Sequence, residues 1–310
     1  MNRLRADQDL PTLQGSRRQK VRLEYLNVRC ARLISNPPKM ISTITIPLSL
    51  RMMRKLKMPK KLGFLESLFG STLAAKGIGW VKCSNGVIWK LDLTEPTHRW
   101  IVYGDYEGGI GLSFAKDALR NGGVFVDSGS NIGQWILYLG SMAGLQSLEF
   151  EPVESQRQWL ASCLQNQPGW NYTIYPCGLG SEDCEMEIQC DGPRSTLMND
   201  WFKSKNLDRE VIQIRRLEDV LRQAEINEVQ LWKLDVEGAE YDALVGAHDY
   251  LASQRIKHIY FECHHTNYIR NKSYLEMCGY NLYDIGWKGL QLKVDREISE
   301  TQDLVALPTR

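Results

Sequence analysis

Apolar and polar positions divide the chain into an irregular start and a long alternation of strand and helix signals. Val124-Phe125-Val126 is a short apolar run of β-formers, the mark of a strand buried on both faces in a parallel sheet. Asp127 ends it. Gly129 and Gly133 follow at the spacing of a tight strand-to-helix turn, where glycine permits positive φ and lets a ligand approach the main chain. Ile132, Trp135, Ile136, Leu139 and Ala143 then share one helical face. The alternation continues with a strand over 148–150, a helix around Trp159 and Leu160, and a strand over 172–175. A helix over 217–224 and a strand over 230–236 come next. Tyr241, Leu244, Val245, His248 and Leu251 phase one further helix, and residues 258–262 read as another buried strand. A short helix near Tyr274 and strands over 280–284 and 290–294 close the pattern. This order predicts an α/β fold, a doubly wound, mostly parallel sheet with helices on both faces.

Upstream of the glycine strand, Asn85-Gly86 between two apolar runs is a hairpin signal. Residues 97–120 read as two helical pieces split around 104–111, and the segment 100–107 is placed to cover the mouth of the glycine strand. Residues 177–214 read as irregular, with short β pieces at 186–189 and 211–214. Residues 1–39 are polar and basic and broken by Pro37-Pro38; they read as disordered, or as upstream sequence if Met40 or a later methionine is the start. Residues 47–69 read as one or two helices with mixed Leu/Met and Arg/Lys faces. The expected division is a basic extension over 1–60, a folded domain over 61–300 with its motif core at 120–265, and a loose tail over 301–310.

Charge sharpens that division. The net charge of +1 gives no case for a nucleic-acid partner, yet residues 1–61 carry fifteen Lys and Arg against three Asp and Glu. The remainder has a balance of −11. A basic amphipathic segment at 47–61 suits contact with an anionic membrane surface; packing on the domain with its lysines in water is the plainer alternative. The eight cysteines include no pair at CxxC spacing, which predicts free thiols in a reducing cytoplasm rather than disulfides or a zinc site.

The chemistry lies at strand ends. Asp127 and Glu151 each end a strand of one βαβ unit, and an acid that far beyond a glycine turn can accept both hydroxyls of a ribose. Glu149 shares the face of Glu151 but sits further from the strand end. A third glycine is missing, and an acid before the turn repels a pyrophosphate while attracting the ammonium of an amino-acid moiety. That favours S-adenosylmethionine over a nicotinamide cofactor. Asp235 and Glu237 follow the next central strand and are the better catalytic candidates, since Glu240 is accounted for by helix capping. His264, beside Glu262 and His265, is placed to take a proton or to bind a metal with Asp235; no metal set is assigned.

The runs VFVDSGSNIG at 124–133, Phe150-Glu151-Pro152, Leu217-Glu218-Asp219 and Lys233-Leu234-Asp235-Val236-Glu237-Gly238-Ala239-Glu240 resemble the FkbM family of S-adenosylmethionine-dependent methyltransferases. So do Gly104-Asp105-Tyr106-Glu107 and Phe261-Glu262-Cys263-His264, and together these runs cover about residues 76–290 in order. Ser128 and Ser130 depart from the family pattern but are small enough for the turn. The resemblance implies the class I methyltransferase (Rossmann-like) sheet, parallel except for one reversed strand near its C-terminal edge. It also implies O-methylation of small molecules or glycans, sugar hydroxyls in particular, as in polysaccharide biosynthesis. The expected cofactor-binding residues are Glu107, Asp127, Gly129, Asn131, Gly133 and Glu151; the expected catalytic residues are Asp235, Glu237 and His264. A cytoplasmic enzyme, with or without membrane association, is the expectation. Two other readings compete: an NAD(P)-dependent oxidoreductase on a similar sheet, and a non-catalytic binding or scaffold protein of the same fold.

Overall fold

The computed structural model describes residues 42–56, 60–104, 109–190, 208–286, 289–292 and 298–309. Its strands are β1 (Thr43–Ile44), β2 (Ile78–Lys82), β3 (Ile88–Asp92), β4 (Gly123–Ser128), β5 (Leu145–Phe150), β6 (Tyr172–Tyr175) and β7 (Gly178–Leu179). They continue as β8 (Cys184–Cys190), β9 (Asp208–Arg215), β10 (Leu231–Leu234), β11 (Ile259–Cys263), β12 (Tyr280–Gly286), β13 (Gly289–Leu292) and β14 (Gln302–Pro308). The helices are α1 (Leu48–Met53), α2 (Lys61–Ala74), α3 (Pro96–Tyr103), α4 (Ile110–Ala118) and α5 (Ile136–Leu139). After them come α6 (Glu154–Leu164), α7 (Leu217–Gln223), α8 (Glu240–Val245), α9 (His248–Ala252) and α10 (Tyr268–Met277).

Eight strands make one sheet in the order β13-β12-β14-β11-β10-β4-β5-β6. The run β11-β10-β4-β5-β6 is parallel throughout. Successive residues of its strands enter different core clusters: Phe125, Leu231 and Tyr260 on one side, Val126, Trp232 and Phe261 on the other. That is the period-2 consequence of a sheet covered on both faces. The chain direction of winding reverses beside β4, between β5 and β10, which opens a crevice at their carboxyl ends.

β14 runs antiparallel between β11 and β12. The expected loose tail is therefore a central strand, with Leu304, Val305 and Ala306 wholly buried. Their apolar run needs a covered place, and the gap between β11 and β12 supplies it. β13 is also reversed, as the hairpin partner of β12, so two strands break the parallel pattern where one was expected.

The folded body also begins earlier than residue 61. β1 pairs with β2, and Ile44, Ile46 and Leu50 are buried. Two expected helices are shorter. The one after the glycine turn is confined to α5, because Asn131 and Gly133 hold φ of 51° and 84° and keep residues 129–135 in turns. The long helix expected over 241–251 is split into α8 and α9 at Gly246. A Cβ there would lie 1.9 Å from the Gly180 carbonyl oxygen, so the backbones touch and the helix breaks. The irregular 177–214 segment contains a regular piece: β8 pairs along its whole length with β9, and β7 lies on the other side of β9.

Among the described residues Cys83, Cys163, Cys177, Cys184, Cys263 and Cys278 are free thiols. No helix of the described residues is long and apolar enough to cross a membrane.

Candidate active site

The strand register lays a row of ionisable side chains across the sheet. Lys233 on β10 pairs with Asp127 on β4, which pairs with Glu149 on β5. All three are buried. Lys233 Nζ lies 3.1 Å from Asp127 Oδ1 and 3.2 Å from Asp235 Oδ2, and donates a hydrogen bond to the Gly129 carbonyl at 3.1 Å. Its three protons thus have three partners, and the ammonium ties the glycine turn to the end of β10. Burial alone would lower the lysine pKa; the two carboxylates outweigh burial and raise it. Sequence reasoning missed Lys233 as a site residue, although it stands within the Lys233–Glu240 motif.

The turn itself is built on contact. Gly129 has a φ of 78°, and a Cβ on it would lie 2.0 Å from the Asp235 carbonyl oxygen. Its N–H and that of Ser130 donate to the Phe150 carbonyl. The Asn131 N–H donates to Glu151 Oε2 at 2.8 Å, and the Val153 N–H donates to Oε1 at 2.9 Å. Burial raises the Glu151 pKa to about 7 against the pull of those two donors. Glu151 lines a cavity with Gly129, Asn131, Phe150, Asp235 and Glu237, walled on the far side by Ile188, Ile212 and Ile214 of the small sheet. Glu149 does not reach that cavity. It accepts a hydrogen bond from Ser147, and burial, followed by the Asp127 charge, raises its pKa to about 8.

Asp127 lines neither of the two cavities at the strand ends. The sequence places it opposite a ligand's ammonium; the structure turns its Oδ1 to Lys233 and leaves Oδ2 without a hydrogen bond. Gly133, with its φ of 84°, packs between Leu160 and Trp89. Glu107 lies outside the described residues.

A second cavity of about 710 Å³ opens on the other side of Asp235, bounded by Gln134, Trp135, Tyr260, Glu262 and Asp303. Tyr260 is hydrogen bonded to Asp303. Burial, then the charges of Asp235, Glu237 and Asp303, raise the Glu262 pKa to about 7. Asp303 comes from β14 and had no place in the sequence reading. Asp235 lines both cavities, Glu237 only the first and His264 neither. His264 Nδ1 instead pairs with Thr266 Oγ1 at 2.7 Å, and its ring sits against His265. The expected convergence of Asp235, Glu237 and His264 is therefore reduced to Asp235 and Glu237. No group of three or more His, Cys, Asp or Glu among the described residues is arranged to hold a metal.

Two motif acids are structural. Glu240 Oε1 accepts the Gly238 N–H at 2.9 Å and closes the turn ahead of α8. Glu218, buried, accepts from the Arg216 guanidinium and from the Asp249 N–H, which locks α7 to α9.

A sheet wound in this order, with a reversed strand inserted beside β11 and a glycine turn after its central strand, defines the class I methyltransferase fold. An all-parallel dinucleotide-binding sheet lacks that inserted strand. The profile of the Methyltransferase FkbM domain matches residues 127–282, half of the chain. The chain belongs to this family of S-adenosylmethionine-dependent methyltransferases. A comparison with curated protein sequences finds no match. Among solved structures, the METTL16 methyltransferase domain is 12% identical with a TM-score of 0.44, over 80% of this chain and 92% of that one. Magnesium protoporphyrin IX methyltransferase from Synechocystis PCC 6803 is 12% identical with a TM-score of 0.39, over 68% and 83%. Precorrin-6y C5,15-methyltransferase from Geobacter metallireducens GS-15 is 9% identical with a TM-score of 0.37, over 64% and 86%. At these scores the likenesses add nothing to what the strand order and the family establish.

The residues present suit the methyl donor. Glu151 is buried, is held from behind by two N–H groups and borders the cavity, so each oxygen keeps a lone pair for a diol. Gly129, lacking a Cβ, lets the glycine turn lie against the Asp235 carbonyl at the edge of that cavity.

Proposed function

We propose that the protein transfers a methyl group to a hydroxyl of a sugar, glycan or glycosylated metabolite. The observation that carries this reading is the place of Asp235, which borders both the Glu151 cavity and the larger acidic cavity beyond it. The first cavity takes the donor, with Glu151 on the ribose hydroxyls. The second takes the acceptor. S-adenosylmethionine supplies an activated methyl group, so the chain has mainly to align an acceptor oxygen and remove its proton.

A hydroxyl is a poor nucleophile at neutral pH, and a positioned base contributes about 10²–10⁴-fold. Asp235 and Glu262 both face the acceptor cavity. Glu262, with its pKa near 7, is matched to a base working at neutral pH. Asp235, held by Lys233, orients the acceptor at the mouth between the cavities. Polar side chains such as Gln134, Gln302 and Ser299 give hydroxyls partners, and Trp135 gives a sugar ring a flat apolar wall. Methylation of a polysaccharide precursor in the cytoplasm fits this chemistry.

Turnover of labelled donor with hydroxylated acceptors tests the reading, with calorimetric donor affinity measured beside it. Asp235→Asn should lower turnover while donor affinity stays within a few-fold, and Glu151→Ala should weaken donor binding. An Asp235→Asn enzyme that methylates at the unaltered rate would falsify the assignment.

A further inference from the structure

Large apolar side chains left in water are gathered in one part of this protein. Of the twelve exposed ones among the described residues, seven fall between Leu48 and Ile88. On α1 and just beyond it, Leu48, Met52 and Leu56 recur every fourth residue along one stripe and are 54–66% exposed. Leu50 of the same helix is wholly buried, so the stripe is the outer face of a segment already docked by its inner one. α2 repeats the arrangement, with Leu65 and Leu73 buried and Phe64 and Leu68 exposed one turn apart.

The charge around this stripe has one sign. Arg51 and Lys55 are exposed between its apolar members. From residue 42 to residue 91 the sequence has nine Lys and Arg and a single acid, Glu66. Glu66 is already taken: Arg99 Nε and Nη2 both donate to it, and so does the Tyr103 hydroxyl at 2.9 Å. No carboxylate of this stretch is left to neutralise the patch. Residues 1–41 are themselves basic and do not complement it by charge.

We propose that α1 and the start of α2 form a docking surface for an anionic lipid bilayer. Apolar side chains at helical spacing interleaved with basic ones are what the interface between headgroups and acyl chains accepts. Each Lys or Arg brought near such a surface strengthens binding by about 5-fold. The balance of −11 over residues 62–310 acts in the opposite sense and turns that part away from the membrane, so charge orients the molecule as well as attracting it.

The test is flotation of the full-length protein with phosphatidylcholine vesicles, with and without about one third phosphatidylglycerol. Binding is expected only to the anionic vesicles and should weaken as salt rises. Replacing Leu48, Met52 and Leu56 by Ser, or Arg51 and Lys55 by Glu, should each lower the bound fraction at least about 10-fold. All five side chains are exposed, so the melting temperature should stay unchanged. Ile269→Ser with Met277→Ser, which removes exposed apolar groups on α10, should bind as the unaltered protein does. Failure to bind anionic vesicles, equal binding to neutral ones, or full binding by the patch variants overturns the proposal. A dimer that the same substitutions dissolve, without vesicle binding, assigns the patch to a second copy and overturns it too.

Discussion

Lys233 Nζ stands 3.1 Å from Asp127 Oδ1 in the middle of the sheet, with both residues buried. Removing the ammonium leaves a buried carboxylate with no counter-charge, a change that costs about 3–5 kcal/mol in buried pairs. Lys233→Met should therefore lower stability by that order, and the loss should shrink from pH 8 toward pH 5, because burial pushes the Asp127 pKa up and a protonated carboxyl needs no counter-charge. Adding Asp127→Asn should recover part of the loss. Urea unfolding at the two pH values measures this, and an unshifted midpoint for Lys233→Met refutes the role given to the pair.

Glu149 makes stability depend on pH in a defined direction. Its folded pKa of about 8 lies above the ordinary 4.5. Below pH 4.5 both folded and unfolded chains hold the proton, and the group takes nothing from stability. Between 4.5 and 8 only the unfolded chain releases it, so stability falls as pH rises. Glu151 and Glu262 act in the same direction up to about pH 7. Glu149→Gln should melt higher than the unaltered protein at pH 8, by about 1–3 kcal/mol of stability, and lose the advantage near pH 4.5. A constant difference across that range would show that the group does not titrate as its burial requires.

Gly129→Ala places a methyl group on the Asp235 carbonyl and strains a residue held at a φ of 78°. The strain alone amounts to about 1–3 kcal/mol, and relief requires the β4 and β10 ends to separate. Donor affinity should fall with stability. Calorimetry showing full affinity in this variant would mean that the two ends need not touch to make the cavity.

Glu262 should leave its mark on the rate. A base with a pKa near 7 gives a turnover that rises with pH through that value and levels off above it. Glu262→Gln should lower turnover about 10²-fold or more and abolish that rise. If the variant keeps both rate and pH profile, the proton goes to another group, and Asp235 is next in line.

The motif-bearing half of the site was legible because its residues are forced by geometry. A glycine turn after an apolar strand and an acid at the end of the next strand face one crevice in a parallel sheet, and both Gly129 and Glu151 border the same cavity. Lys233 was harder to see because lysine in a strand ordinarily faces water. The signal was there: Leu231-Trp232-Lys233-Leu234 is an apolar run, and a charge inside a strand covered on both faces must have partners. His264 was misplaced because strand order locates a backbone end and not the direction of the next side chain. β11 stops at Cys263, and His264 bends back toward Thr266. Asp303 was lost with its strand, since four apolar residues near a terminus read as tail unless a gap in the sheet is known.

That strand sets the order in which the molecule can be made. β11 and β12 are close in sequence but are not neighbours in the sheet; β14 lies between them and is the last of the described elements. On a ribosome the slot stays open until residues 302–308 have left the exit tunnel. Until then β11 presents a bare edge and β12 has only its hairpin partner. Translation that ends a few residues short of Gln302 would release a chain with every motif in place and a bare strand edge at its centre, material for aggregation rather than an enzyme.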